Sequence, residues 1–183
     1  SWLKPFDGGG WKHVYKVNSP EEFFAAYDKT GSICMTLQQG VEFTEYYRCY
    51  CIGKKYVRIM PYEPRNPHHL RYVASFTPTP ERLKQLEEYC IQLCTALSYD
   101  FNTLEFAVQD DIPYAIDYMN CAPDAERTSV QEDNFEWVLD TTAKYLVEVA
   151  REGRKVPTEY TWSQFMNTNA IPAGTPKKAN KKK

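Results

Sequence analysis

Residues 104–124 run LEFAVQDDIPYAIDYMNCAPD, two alternating segments hinged at Asp110-Asp111. How these segments pair sets which side chains meet. A two-residue turn at Asp110-Asp111 sets position 105 opposite 116, with Glu105 and Asp117 on opposite faces. A three-residue loop, 110–112, sets 105 opposite 117 and 107 opposite 115. It also places Leu104 against Tyr118, Phe106 against Ile116 and Val108 against Tyr114 on the other face. The apolar pattern favours this second register, which predicts Glu105 opposite Asp117. Two carboxylates across a ladder repel unless positive charge lies between them. Hard oxygen ligands at that spacing suit Mg²⁺, which keeps waters and shares its shell with phosphates. Asn120 is a third oxygen donor. Simple alternation turns it to the apolar face, so it joins the acids only if the strand bulges or ends there.

Outward from this hairpin, the chain alternates strand-like and helix-like runs. Segments 1–4, 12–17, 33–38, 46–52, 55–60, 71–76, 101–109 and 113–119 are rich in Tyr, Val, Ile and Cys, which suit strands. Ser19-Pro20-Glu21-Glu22 joins a capping box to a first-turn proline and predicts a helix from Pro20 to about Lys29. Thr79-Pro80 opens a second, with Leu83, Leu86, Cys90, Leu93 and Leu97 as its apolar stripe. A third, about Asp133 to Arg151, presents Phe135, Val138, Leu139, Thr142, Leu146 and Val149 and stops at Gly153. The fold class is α+β, with antiparallel sheets and flanking helices.

The chain has 183 residues, 43% hydrophobic and 15% aromatic, enough for a buried core. No apolar run approaches the roughly 18 residues that a membrane-spanning helix needs, and the N-terminus lacks the order of a signal peptide. The expectation is a soluble, cytoplasmic protein. The net charge of −2 becomes −7 when the five lysines of the last seven residues are set aside, so nucleic acid is not an expected partner. Residues 171–183, rich in Pro, Gly and Lys, read as a loose tail. Of the six cysteines, Cys90 and Cys94 lie one helical turn apart and Cys49 and Cys51 share a strand face, a pattern of buried thiols in a reducing compartment. The three histidines, His13, His68 and His69, do not supply zinc spacing.

A second constellation opens the chain. Lys4-Pro5-Phe6-Asp7-Gly8-Gly9-Gly10-Trp11-Lys12 puts a strand-borne lysine before three glycines, and glycines let backbone N–H groups fold around phosphate oxygens. It is not a P-loop, because GxxxxGK[ST] is absent and no helix follows.

Together these stretches resemble the ATP-grasp superfamily. LKPFDGGGWKHVYKV is similar to its phosphate-gripping strand and Gly-rich loop, and LEFAVQDDIPYAIDYMNCAPD to its metal-binding end. In LQQGVEFTEYY, Gln38, Gln39, Val41 and Glu45 fall where the family has an adenine-binding residue, hinge residues and an acid that holds the ribose. The resemblance implies that Lys4 contacts the α- and β-phosphates of ATP and the backbone of Gly8, Gly9 and Gly10 covers them. It implies that Gln38 to Val41 hold the adenine, and that Glu105, Asp117 and Asn120 hold one or two Mg²⁺. Arg48, Arg65 and Arg71 are candidates for the γ-phosphate or an acyl-phosphate. Two departures stand out: two residues separate Asp117 from Asn120 where the family has one, and Gln38 replaces a frequent Glu.

The resemblance covers about residues 2–150, as the back half of such an enzyme. It divides the chain into a partial lid (1–40), a C-terminal subdomain (41–155) and a C-terminal extension (156–183). The implied activity is ATP- and Mg²⁺-dependent ligation of a small-molecule carboxylate to a nucleophile through an acyl-phosphate, with a preceding region or second chain completing the enzyme. A nucleotide-binding or scaffold module is the alternative. No Ser-His-Asp or Cys-His arrangement competes with these readings.

Overall fold

The computed structural model describes residues 1–7, 12–73 and 75–155, which fall into two compact units, Ser1–Phe43 and Thr44 onward. In the first, strands β1 (Trp2–Pro5), β2 (Tyr15–Lys16) and β3 (Met35–Gln38) form an antiparallel sheet in the order β2-β1-β3. Helix α1 (Pro20–Tyr27) begins as its cap predicts. The Ser19 hydroxyl accepts from the Glu22 N–H at 3.2 Å, and the Glu22 carboxylate accepts from the Asn18 N–H at 2.8 Å, satisfying donors the first turn leaves open. A 3₁₀ turn, Asp28–Thr30, follows. Leu3, Val17 and Ala26 make this unit's core, with Tyr15, Phe23 and Met35 against it.

The second unit is built on an antiparallel sheet of β4 (Glu45–Ile52), β5 (Tyr56–Pro61), β6 (Phe101–Gln109) and β7 (Ile112–Asn120), ordered β5-β4-β6-β7. Its helices are α2 (Pro80–Leu97), α3 (Arg127–Val130) and α4 (Glu132–Glu152). Strand alternation sorts the two faces. On one, Tyr47, Cys49, Cys51, Leu104, Phe106 and Val108 close on Leu86, Cys90 and Cys94 of α2. On the other, Tyr50 and Met60 pack with Val130 and Val138 from α3 and α4. The remainder of that second face carries polar groups, described below. All six cysteines are free thiols, four of them buried and two, Cys34 and Cys121, exposed. Among the described residues no helix is long and apolar enough to cross a membrane.

Three expectations need correction. Segment 71–76 is not a strand where described: the Glu63 N–H bonds the Arg71 carbonyl at 2.7 Å, closing a loop whose aromatic Tyr72 stacks edge-on to Tyr62. In α2, Cys94 joins Leu86 and Cys90 in the core, while Leu83 is 36% exposed. In α4 the buried residues are Asn134, Val138 and Tyr145, and Leu139 and Leu146 face solvent at 51% and 61% exposure. Polar and aromatic anchors set that helix's rotation. Asn134 accepts from Arg58 Nε at 3.0 Å and donates to the Val130 carbonyl at 2.8 Å. Tyr145 lies over Gly53, where a Cβ would stand 2.4 Å from its ring. Gly153 ends the helix in the left-handed conformation, φ 58°, as expected.

Candidate functional site

The site in the second unit starts from the β6–β7 turn. Asp110 and Asp111 both have positive φ, 52° and 64°, so the turn has two residues and the expected three-residue loop is absent. Buried Arg82 of α2 fixes it by binding the Asp111 carboxylate. From this turn Gln109 pairs with Ile112, Val108 with Pro113, Ala107 with Tyr114 and Phe106 with Ala115. The apolar pairs expected for Val108 and Phe106 are therefore displaced by one residue. Continued unbroken, this register would face Glu105 with Ile116.

Two irregularities change that outcome. The first, between Glu105 and Phe106, leaves Ile116 as an extra residue and sets Glu105 opposite Asp117; the second sets Thr103 opposite Asn120. Each bulge shifts the pairing by one residue. Because paired residues share a face, Glu105, Asp117 and Asn120 project from the same side of the sheet. The expected partner of Glu105 is thus the observed one, reached by a bulge instead of a longer loop.

Around Glu105 the neighbours come mostly from β4 and the loop after β5. The Tyr46 hydroxyl donates to Glu105 Oε2 at 2.6 Å, and Arg48 lies directly across the ladder on β4. Burial pushes the Glu105 carboxyl above the usual range and Asp117 adds to the rise, against the opposing pull of Tyr46, Arg48 and Arg71. Arg48 donates from Nη1 to the Tyr72 hydroxyl at 3.3 Å, and its guanidinium carbon lies 6.0 Å from the Tyr62 ring centroid. Its Nε is buried with no hydrogen-bond partner among the described residues. Arg71 donates from Nη1 to the Tyr62 hydroxyl at 3.4 Å and from Nε to the Asn66 carbonyl at 3.3 Å. Arg48 and Arg71 therefore gather about Tyr62 and Tyr72 beside Glu105. Arg65 does not join them: it is exposed and grips the Glu63 carboxylate through Nε and Nη2 at 2.7 and 2.6 Å.

Glu45 occupies the opposite face. Its carboxylate accepts from the Tyr47 hydroxyl at 2.6 Å and lies 3.4 Å from Arg82 Nε, so a ribose contact would require that pairing to be exchanged. In the first unit, Lys4 pairs with Thr36 and Gln38 with Trp2, which puts Lys4 and Gln38 on one face of their sheet. Gln39 is exposed and Val41 half-buried in the segment after β3. Gly8, Gly9 and Gly10 lie outside the described residues.

Among the described residues no group of three or more His, Cys, Asp or Glu is gathered to hold a metal. Glu105 and Asp117 supply two carboxylates and Asn120 one amide oxygen, a hard but incomplete donor set. That set fits Mg²⁺, whose remaining positions are filled by water and phosphate. Three supporting residues were not anticipated. Tyr46 is buried, and its strand phase with Arg48 puts it on the Glu105 face. Arg82 gives no signal on a helix surface. For Asn102 a signal exists in the alternation: it is the one polar residue in the apolar row Asn102, Leu104, Phe106 and Val108.

No family model matches the chain, and no curated protein matches it by sequence. Solved structures do. The chain is similar to D-alanine–D-alanine ligase from Bacillus anthracis complexed with ATP, at a TM-score of 0.64 and 17% identity over 84% of this chain and 54% of the ligase. It is also similar to the Helicobacter pylori D-alanine–D-alanine ligase, at a TM-score of 0.57 and 19% identity over 79% of this chain and 48% of the other. The fold is the α+β fold of these ligases. The chain spans about half the length of the ligases it resembles.

Proposed function

We propose that the chain carries the metal and nucleotide side of an ATP-dependent, Mg²⁺-dependent carboxylate ligase. The observation behind this reading is the bulged register that sets Glu105 opposite Asp117 with Asn120 on the same face. When bound, Mg²⁺ would supply neutralisation of the charge on the transferring group. Glu105, Asp117 and Asn120 would hold it, with Tyr46 fixing one Glu105 oxygen. Arg48 and Arg71 would face the γ-phosphate. In the first unit the candidates are Lys4 and Gly8 to Gly10 for phosphate and Gln38, Gln39 and Val41 for adenine; Glu45, on the sheet face opposite Glu105 and bound to Tyr47 and Arg82, is set aside as a ribose contact. Arg65, bound to Glu63, is the weakest of the phosphate candidates.

In this reading a substrate carboxylate oxygen attacks the γ-phosphorus in line, ADP leaves, and a nucleophile then attacks the acyl carbon with loss of phosphate. The chain's part is position and electrostatics, so no nucleophilic side chain is required. One observation favours a second reading. Because the chain spans about half the length of the similar ligases, the alternative is a nucleotide-binding module without turnover of its own. ADP release in the presence of Mg·ATP and panels of carboxylates and amines separates the two. Turnover supports the ligase, nucleotide binding without turnover supports the module, and neither binding nor turnover rejects both.

A further inference from the structure

Asn102 is fully buried in the row of β6 that faces α2, among Leu104, Phe106 and Val108. A carboxamide in such a row must find partners for both its ends, because an unpaired polar group there is costly. Here it finds them on β7: Nδ2 donates to the Tyr118 carbonyl at 3.0 Å, and Oδ1 accepts from the Asn120 N–H at 2.9 Å. These two backbone groups flank Met119, within the stretch where the second irregularity displaces the ladder between Thr103 and Glu105. Nδ2 also lies 3.5 Å from Cys94 Sγ, so the amide is held from the α2 side as well.

A bulge loosens a ladder where it occurs, and among the described residues β7 is the edge strand of its sheet. The shift in register that turns Asn120 to the face of Glu105 and Asp117 therefore depends on something other than continuous backbone pairing. We infer that Asn102 is a positioning residue: its carboxamide stands in for the missing ladder bonds across the second bulge and so fixes Asn120 as the third oxygen donor beside Glu105 and Asp117. This inference rests on the metal reading proposed above, and the experiment is arranged so that the two can fail separately.

The probe is Mn²⁺ added to ¹⁵N-labelled full-length chain, followed by paramagnetic broadening and by hydrogen exchange of backbone amides. In the wild type the Asn120 amide is expected to exchange slowly for an edge strand, and Mn²⁺ is expected to broaden signals at Glu105, Asp117 and Asn120. Asn102→Leu keeps the branched shape of the side chain and makes the row wholly apolar while removing both bonds. It is expected to speed exchange at Asn120 and weaken Mn²⁺ about 10-fold or more, the usual loss when an outer-shell partner is removed. Broadening at Glu105 and Asp117 should persist at higher Mn²⁺. An Asn120 amide that exchanges like an open edge amide in the wild type overturns the inference, and needs no variant to fold. Equal Mn²⁺ affinity in wild type and Asn102→Leu overturns the inference alone, whereas a wild type that binds no Mn²⁺ overturns the metal reading and the inference with it.

Discussion

Replacing Glu105 with glutamine should make the protein more stable while removing its response to Mg·ATP. Side chains directly across a ladder sit about 5 Å apart at Cβ, and at an effective dielectric near 20 two unit charges at that separation interact by about 3 kcal/mol. Asp117 opposes Glu105 by roughly this amount, and Arg48, across the other ladder, returns a similar amount. Burial of the carboxylate remains, and it outweighs the hydrogen bond from Tyr46, since the carboxyl is held above its usual range. The amide of Glu105→Gln keeps an oxygen for Tyr46 and has no charge to bury. A gain of about 1 kcal/mol at pH 7 follows, raising Tm by roughly 2–4 °C. The sign with pH is fixed by linkage. The unfolded chain gives up the Glu105 proton at a lower pH than the folded one, so wild-type stability falls as pH rises through the interval between them. The variant lacks that fall, and the gap closes below the ordinary glutamate value of about 4.3. Mg·ATP at ten times its Kd should stabilise the wild type by about 1.4 kcal/mol and leave the variant unmoved, reversing their order in thermal melts. A variant less stable than wild type at pH 7 without metal, or equal shifts with Mg·ATP, would refute this reasoning.

Further outcomes follow from other positions. Gly53 has φ +63° and Tyr145 ring atoms 2.4 and 2.6 Å from a notional Cβ. Gly53→Ala should therefore cost about 2–4 kcal/mol in urea unfolding, from left-handed strain and displacement of Tyr145; a midpoint within error of wild type would show that the ring moves without loss. In the native protein a thiol-reactive chromogen should modify Cys34 and Cys121 promptly and the buried Cys49, Cys51, Cys90 and Cys94 only on unfolding, and a third fast thiol would contradict the packing of α2. Arg48→Met should lower ADP release with a productive carboxylate by about 100-fold or more while changing Mg·ATP affinity far less, as expected for a donor that acts on charge developing in the transition state. Equal losses in both would make Arg48 a ground-state contact only.

Much of the architecture is legible in the sequence because its signals are local. The Ser19 and Thr79 caps, Pro20 and Pro80 at first helical positions, and Gly153 at a helix end each act on neighbouring backbone groups, and each element starts or stops where they indicate. The rotation of α4 is not local: Arg58, seventy-six residues away from Asn134, and Gly53 beneath Tyr145 set it, so its leucine periodicity misleads. The face that carries Glu105 shows both cases. Alternation along β4 and β6 places Arg48 and Glu105 together, whereas the bulges that set Asp117 and Asn120 on that face lie between two contacts from distant residues, Arg82 to Asp111 at the turn and Asn102 to Tyr118 and Asn120 at the strand end. Neither contact has a periodic signature. The clustering of Arg71 with Tyr62 depends on a loop closure, from the Glu63 N–H to the Arg71 carbonyl, in a segment that reads as a strand.

The central claim is that Glu105 and Asp117 hold Mg²⁺ for ATP, and isothermal titration of ATP into wild type and Glu105→Gln, each with and without Mg²⁺, tests it most directly. The account predicts heat of binding for the wild type that requires Mg²⁺ and disappears in the folded variant. Wild-type binding that survives the substitution, or no binding at millimolar Mg·ATP, would contradict it.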